Sequence, residues 1–171
     1  MNSETKVSIR EELPGDEQQV RWVNEAAFGR EDEADLVDQL RLEGASLLSL
    51  VAEWNGQIVG HVLFSRMTVE TAQGSLPAVS LAPVAVLPEQ QRHGIGSALI
   101  RHGIGALQAR GERIVIVLGS ATYYPRFGFS AEKARRLQSP FPPAHFMALE
   151  LADGALEGVE GSVRYPLAFG L

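Results

Sequence analysis

The chain contains no cysteine. That excludes a disulfide framework, a thiolate-held zinc and a cysteine nucleophile. Histidine is scarce as well: His61, His93, His102 and His145 are too few and too scattered to suggest a metal cluster, and no metal is expected. Long apolar runs are missing; nothing approaches the roughly 20 residues that a membrane-spanning helix needs, so no membrane partner is expected. The opening residues Met1-Asn2-Ser3-Glu4-Thr5-Lys6 lack the basic-then-apolar pattern of a secretion signal. Asn2 stands where myristoylation needs a glycine, so the expected location is cytoplasmic. An excess of positive charge is lacking too: 15 Lys+Arg face 21 Asp+Glu, a formal net charge of −6. That argues against nucleic acid as a partner and suits cationic small molecules or basic peptide segments better. What is present is a 45 % hydrophobic chain of 171 residues, enough for a real core and too apolar for disorder. No long linker interrupts it, and residues 1–171 are expected to form a single domain. The most loop-like stretches, Glu70–Pro77 and Ser139–Ala144, are short.

The periodicities alternate between strand and helix. Val7–Glu11 reads as a short strand. Asp16 is placed to cap a helix with Gln19 three residues on, followed by Val20, Val23 and Ala27 on one face. Glu33–Leu42 is a second amphipathic piece, with Leu36, Val37 and Leu40 inward. Leu47–Trp54 and Gln57–Ser65 are β-rich and separated by Asn55-Gly56, the signature of a type I′ hairpin. Val79–Leu87 is a mostly apolar strand containing Pro83, which cannot donate to a ladder and so marks a bulge or interrupted pairing. Arg92–Ala109 predicts a helix with Ile95, Ala98, Leu99, His102 and Ala106 inward, stopped by Gly111. Arg113–Leu118 is β-branched, the pattern of a buried parallel strand, and completes a βαβ unit. Phe146–Leu151 and Gly161–Tyr165 are weaker late strands. The fold class is α/β, with a mixed, mostly antiparallel sheet containing one parallel pair. A small repeat, Arg92-His93-Gly94-Ile95-Gly96 and Arg101-His102-Gly103-Ile104-Gly105, is taken as coincidence. A nine-residue offset turns a helix by about 900° and puts the copies on opposite faces.

The richest segment is Val86-Leu87-Pro88-Glu89-Gln90-Gln91-Arg92-His93-Gly94-Ile95-Gly96-Ser97-Ala98. A strand ends, a turn follows, and two glycines stand where a helix begins. Glycine admits close approach of backbone N–H groups, and the first N–H groups of a helix have no internal partner. They lie at the positive end of the helix dipole, where an anion such as phosphate fits. Arg92 and His93 add charge to the same spot. A P-loop is excluded by the spacing and the missing lysine, and a dinucleotide fingerprint is broken at Leu99. What remains is Q-x-x-G-x-G, filled by Gln91, Gly94 and Gly96.

This segment resembles motif A of the GNAT superfamily of acetyl-CoA-dependent N-acetyltransferases. Gly60-His61-Val62-Leu63-Phe64-Ser65, Leu81-Ala82-Pro83-Val84-Ala85-Val86, Val117-Leu118-Gly119, Tyr123-Tyr124-Pro125-Arg126-Phe127-Gly128-Phe129 and Phe146-Met147-Ala148-Leu149-Glu150-Leu151 resemble a bacterial group of acetyltransferases within it, so the likeness covers nearly the whole chain. The resemblance implies a GNAT-like sheet whose parallel strands splay apart. It implies acetyl-CoA as co-substrate, its pyrophosphate held by the amides of Arg92, His93, Gly94, Ile95, Gly96 and Ser97 beside Gln91. The pantetheine arm would bond the free backbone of Val84, Ala85 and Val86. Tyr124, four residues before Gly128, is implied as proton donor to the leaving thiolate. The Val86 N–H, unpaired at the splay, is the candidate oxyanion donor.

Other residues carry plainer readings. Tyr123 is expected to be structural or acceptor-lining, and His61 a satisfied structural histidine. In related proteins an acidic residue can stand at the position of Ser120, which leaves the local capping open. Glu31-Asp32-Glu33 with Asp35 is either a solvated first turn or a wall of the acceptor site. The expected function is transfer of acetyl from acetyl-CoA directly to an amine, a small molecule or a peptide, with no covalent enzyme intermediate. The rival is a catalytically silent acyl-CoA-binding sensor or partner-binding module. The oligomeric state stays open; dimers are common among similar proteins, which keeps a homodimer among the expected partners.

Overall fold

Asn55 and Gly56 both take left-handed backbone angles (φ 51° and 74°), and the hairpin they close organises the first half of the sheet. The structure, a computed structural model, describes residues 7–171. The leader expectation, on Met1–Lys6, lies outside the described residues. In chain order the strands are β1 (Ser8–Glu11), β2 (Ser46–Trp54), β3 (Gln57–Thr71), β4 (Gly74–Val86), β5 (Ile114–Leu118), β6 (Leu137–Gln138), β7 (Phe146–Glu150) and β8 (Gly161–Arg164). The helices are α1 (Glu17–Phe28), α2 (Asp32–Leu42) and α3 (Ile95–Ala109). The sheet runs β1-β2-β3-β4-β5-β7, antiparallel except for β4 with β5. β3 outruns β2, and its freed edge takes up β8, which pairs in turn with β6. No helix among the described residues is long and apolar enough to cross a membrane.

The expected loop Glu70–Pro77 is mostly strand. β3 runs on to Thr71 and β4 begins at Gly74, with Pro77 paired to Thr68. A proline is tolerated there because β5 has not yet joined, so β4 is still an edge strand. The register between β3 and β4 slips by one residue at Ala82-Pro83, from Val62↔Val84 to Phe64↔Leu81, which is the bulge Pro83 called for.

Asp16 is not a cap. Its own backbone is helical (φ −83°, ψ −12°), and its carboxylate accepts from the Leu13 N–H at 2.7 Å and from Arg10 at 2.8 Å. Gln19 is drawn away too, accepting from the Ile58 N–H at 3.2 Å. Both side chains tie α1 to neighbouring strands instead of closing its end. In α2 the buried residues are Ala34, Val37 and Leu40, with Leu36 only half-buried.

α3 starts three residues later than its periodicity suggests, because Arg92 (φ 68°) and Gly94 (φ 79°) are left-handed. Its buried stripe is Ile95, Leu99, Ile100, Gly103 and Leu107, while Ala98 and His102 are exposed. The second copy of the repeat therefore has a use of its own. A Cβ on Gly103 would lie 2.2 Å from the Phe64 ring, so the glycine is the hole into which that ring packs. Phe64, Leu99 and Leu107 belong to a large apolar cluster shared with α1 and α2; a smaller one gathers Met67, Ile116, Leu137 and Phe146. Each such side chain, fully buried, contributes about 1.5–3 kcal/mol.

The parallel pair touches at Val79↔Val115 and Ser80↔Ile116 only. Beyond those pairs β4 continues to Val86 against β3 alone, while β5 turns its far side to β7. The strands splay, and a gap opens at their C-terminal ends.

Candidate active site

The gap is built by strand parity. The Leu87 N–H donates to the Val59 carbonyl at 2.9 Å, toward β3. Backbone groups alternate sides along a strand, so those of Ala85 also face β3, opposite His61. Val84 and Val86 therefore turn their N–H and C=O groups toward the gap. This corrects the expectation for Ala85: its main chain belongs to the β3 ladder. The Val86 carbonyl accepts from the Gln91 side chain at 3.0 Å, which makes Gln91 a brace between strand and loop.

Past the short 3₁₀ turn Pro88–Gln90, the chain enters α3 through Gly94. The Ala98 N–H is the first to reach an intrahelical carbonyl, that of Gly94, at 3.0 Å. The amides of Ile95, Gly96 and Ser97 stand ahead of it at the positive end of the helix. A Cβ on Gly96 would sit 3.6 Å from the Tyr123 hydroxyl and 3.8 Å from both Val84 and Val86. The fold itself would tolerate that atom, but it would fill the space among the three. The glycine keeps open a cleft of about 490 Å³ that also reaches Arg92, Ser97 and Tyr124. His93 does not join it; it lines a neighbouring depression with Val7 and Trp54. Gln90 and Arg126, which sequence reasoning passed over, do line the cleft. Arg126 had one legible sign, its place two residues after Tyr124 in a turn that must fold back on the gap.

The aromatic wall follows β5. The Ser120 hydroxyl accepts from the N–H groups of Tyr123 (3.1 Å) and Thr122 (3.3 Å), so serine does the capping at this position. Pro125 lies inside the 3₁₀ turn Tyr124–Phe127 and does not terminate it; a first-turn residue needs no N–H partner. Gly128 (φ 98°) closes the turn. The Tyr123 hydroxyl bonds the Ser97 hydroxyl at 3.0 Å, joining the two lips of the cleft. The Tyr124 ring stands edge-on to Tyr123 (5.1 Å between centroids) and to Phe129 (5.9 Å). Burial, with a smaller effect of Tyr123, pushes the Tyr124 hydroxyl up to about 12, so it keeps its proton at neutral pH.

His61 lies apart from this chemistry. Its Nδ1 meets the Asn24 amide at 3.1 Å and its Nε2 the Ser49 hydroxyl at 2.9 Å. Ser49 donates onward to Glu12 at 2.8 Å, so the Nε2–H donates to Ser49 and Nδ1 accepts from Asn24. Burial, helped by the charge of Arg41, pushes His61 down to about 3, and it is neutral. The acidic run is largely answered by arginines: Arg30 bonds Glu33 at 2.6 Å, and Arg21 bonds both Asp35 and Asp38 at 2.8 Å. Among the described residues, no group of three or more His, Asp or Glu is placed to hold a metal. A larger hollow of about 610 Å³ lies between Ser130–Arg136 and Gly154–Val159, but it contains neither a gap-facing strand residue nor the start of α3.

Comparison with known proteins agrees with this geometry. A family model described as an acetyltransferase (GNAT) domain matches residues 8–131. The chain is 45 % identical over 136 residues to the uncharacterized N-acetyltransferase YjhQ of Escherichia coli strain K12, covering 76 % of this chain and 75 % of that protein. The crystal structure of the GNAT family N-acetyltransferase YhbS from Escherichia coli in complex with CoA superposes with a TM-score of 0.92 at 33 % identity, covering 100 % of this chain and 96 % of that one. A GNAT family acetyltransferase from Brucella melitensis in complex with acetyl-CoA gives a TM-score of 0.81 at 36 % identity, covering 96 % and 99 %.

Proposed function

The chain belongs to the GNAT family of acetyltransferases, and from that premise we propose that it binds acetyl-CoA in the β4/β5 cleft and passes the acetyl group directly to an amine. The observation that carries this reading is the meeting of two backbones in one cleft: gap-facing Val84 and Val86, and the amides that open α3. The arrangement offers an anion cradle at one end and an unpaired strand edge along the side. A pyrophosphate fits the first and a pantetheine arm, with its two amides, the second. The complexes of the two structural relatives with CoA and acetyl-CoA support the choice of ligand.

In this reading the amides of Arg92 to Ser97 hold the pyrophosphate, with Arg92 and Arg126 adding charge. Val84 and Val86 hydrogen-bond the arm. The Val86 N–H, with Val84 oriented alike two residues deeper, polarises the thioester carbonyl. The acceptor nitrogen, as a neutral amine, attacks that carbon; the N–C bond forms, the C–S bond breaks, and the nitrogen gives up its extra proton to solvent. Tyr124 gives its proton to the departing sulfur and regains one from solvent. The His93 side chain is left outside the cradle and Ala85 outside the arm's bonding.

Calorimetry with CoA tests the site. Binding at about micromolar dissociation constant is expected, with NAD and ATP ignored, and Gly96→Val should lose most of the affinity by filling the cleft. Unchanged CoA binding in Gly96→Val would place the site elsewhere. Thiol release from acetyl-CoA over a panel of small amines, amino acids, aminoglycosides and peptides tests the reaction. CoA binding with no turnover on any of them would favour a silent acyl-CoA sensor.

A further inference from the structure

Gly119 follows the last residue of β5, yet nothing in its backbone calls for glycine: its φ is not left-handed, unlike those of Gly94 and Gly128. The reason is steric. A Cβ built on Gly119 would lie 2.4 Å from one ring carbon of Tyr124, 3.0 Å from the next and 3.4 Å from a third. The Tyr124 ring therefore rests directly on the Gly119 α-carbon. Tyr123 and Phe129 pack edge-on against the ring and its own N–H is bonded to the Ser120 carbonyl at 3.2 Å, so the side left to it is the one that faces the cleft. Gly119 cannot move away. Its N–H donates to the His145 carbonyl at 2.9 Å, and its carbonyl accepts from His145 Nδ1 at 3.1 Å. Both bonds go to His145, so the end of β5 is held to the residue that leads into β7, and the ring is seated on the held residue.

We propose that Gly119 is a positioning residue for the acyl transfer: by carrying no side chain, and by being pinned through His145, it sets the height at which the Tyr124 hydroxyl stands over the cleft. This rests on the reading of Tyr124 as proton donor. A methyl group at 119 pushes the ring outward and takes the hydroxyl off the line to the sulfur, whereas the pyrophosphate cradle and the gap-facing strand are untouched.

The experiment combines kinetics and stability on five variants. Gly119→Ala should lower kcat by about tenfold to a hundredfold, the scale of a misplacement near 1 Å, with the KM for acetyl-CoA within a few-fold of wild type. In the Tyr124→Phe background, where the hydroxyl is already gone, Gly119→Ala should lower kcat no further. The contact itself is read by thermal melting: Gly119→Ala should lower the melting temperature of wild type but not of Tyr124→Ala, which vacates the space. That last pair keeps the test decisive even where Gly119→Ala alone folds poorly. Wild-type kcat in Gly119→Ala beside a slow Tyr124→Phe overturns the positioning role. A full additional loss in the Tyr124→Phe background overturns it as well. Wild-type kcat in Tyr124→Phe instead overturns the proton-donor reading, while the melting comparison still reports whether the ring sits on Gly119.

Discussion

Tyr123 and Tyr124 are neighbours in sequence with different attachments. Tyr123 spends its hydroxyl on Ser97, across the cleft mouth, whereas the Tyr124 hydroxyl makes no hydrogen bond among the described residues. Tyr124→Phe should therefore cut kcat by about a hundredfold with the acetyl-CoA KM within a few-fold, because the lost proton matters chiefly as the thiolate forms. Tyr123→Phe loses one hydrogen bond, worth about 1 kcal/mol, and should act mildly and mainly on KM. Steady-state kinetics on both variants decide it, and the opposite pattern would exchange the two roles. His61 carries a second prediction. It titrates near 3 in the folded protein against an ordinary 6.5, so between those values the unfolded chain binds the proton more readily. Stability should then fall as pH drops below 6.5, by at most about 1.4 kcal/mol per pH unit. Asp16, Glu70 and Glu150, held below the usual carboxylate range by their hydrogen-bond partners, add their losses only further into acid. Urea midpoints from about pH 6.5 to 4.5 should slope downward in wild type and flatten in His61→Asn; a flat wild-type profile would overturn the assignment. At this scale the sequence displays residue types but not their partners. Nothing in the spacing of Ser97 and Tyr123, or of Asn24, His61, Ser49 and Glu12, announces that they meet, since each link joins different elements.

At the scale of elements, legibility follows the strength of the local signal. Asn55-Gly56 and the β-branched run of β5 are read correctly because a turn type and a buried strand impose composition directly. The start of α1 is misread because Asp16 and Gln19 have stronger tertiary partners than the helix end. α3 is read as a helix but with its face turned, because hydropathy does not register a glycine as a core position. Gly103 is such a position: the hole beneath Phe64 is as much part of the packing as Leu99. Gly103→Ala should cost about 1–3 kcal/mol by overpacking. Gly105→Ala, where a Cβ meets nothing within 4 Å, should stabilise the protein by up to about 1 kcal/mol through helix propensity. Urea unfolding of the two variants checks both signs. Equal effects would mean that the glycines matter only for backbone freedom.

At the scale of the whole molecule, β4 and β5 are joined within the sheet through two residue pairs only. Both apolar clusters cross that seam: Val115, Val117 and Met147 of β5 and β7 join the cluster of α1, α2 and α3, while Met67, Val69 and Ala78 of β3 and β4 join Ile116 and Phe146 in the smaller one. The seam was legible as Pro83 followed by a glycine-opened helix, because interrupted pairing leaves a mark in sequence. Which backbone groups it frees was not, because that depends on ladder parity, which only the paired strand reveals. The parity makes a sharp expectation for the bound state. If a pantetheine arm lies along β4 as an added strand, the amides facing the gap gain a partner, and those already bonded to β3 do not. Amide hydrogen exchange followed by NMR should then show protection rising on CoA addition at Val84 and Val86. Ala85 and Leu87, bonded into the β3 ladder from the outset, should change only by the smaller, uniform increment that ligand binding gives the whole domain. A general rise at all four positions would mean that CoA merely stabilises the fold without using the strand edge. A rise at Ala85 and Leu87 alone would mean that the register, and with it the placement of the arm, is wrong by one residue.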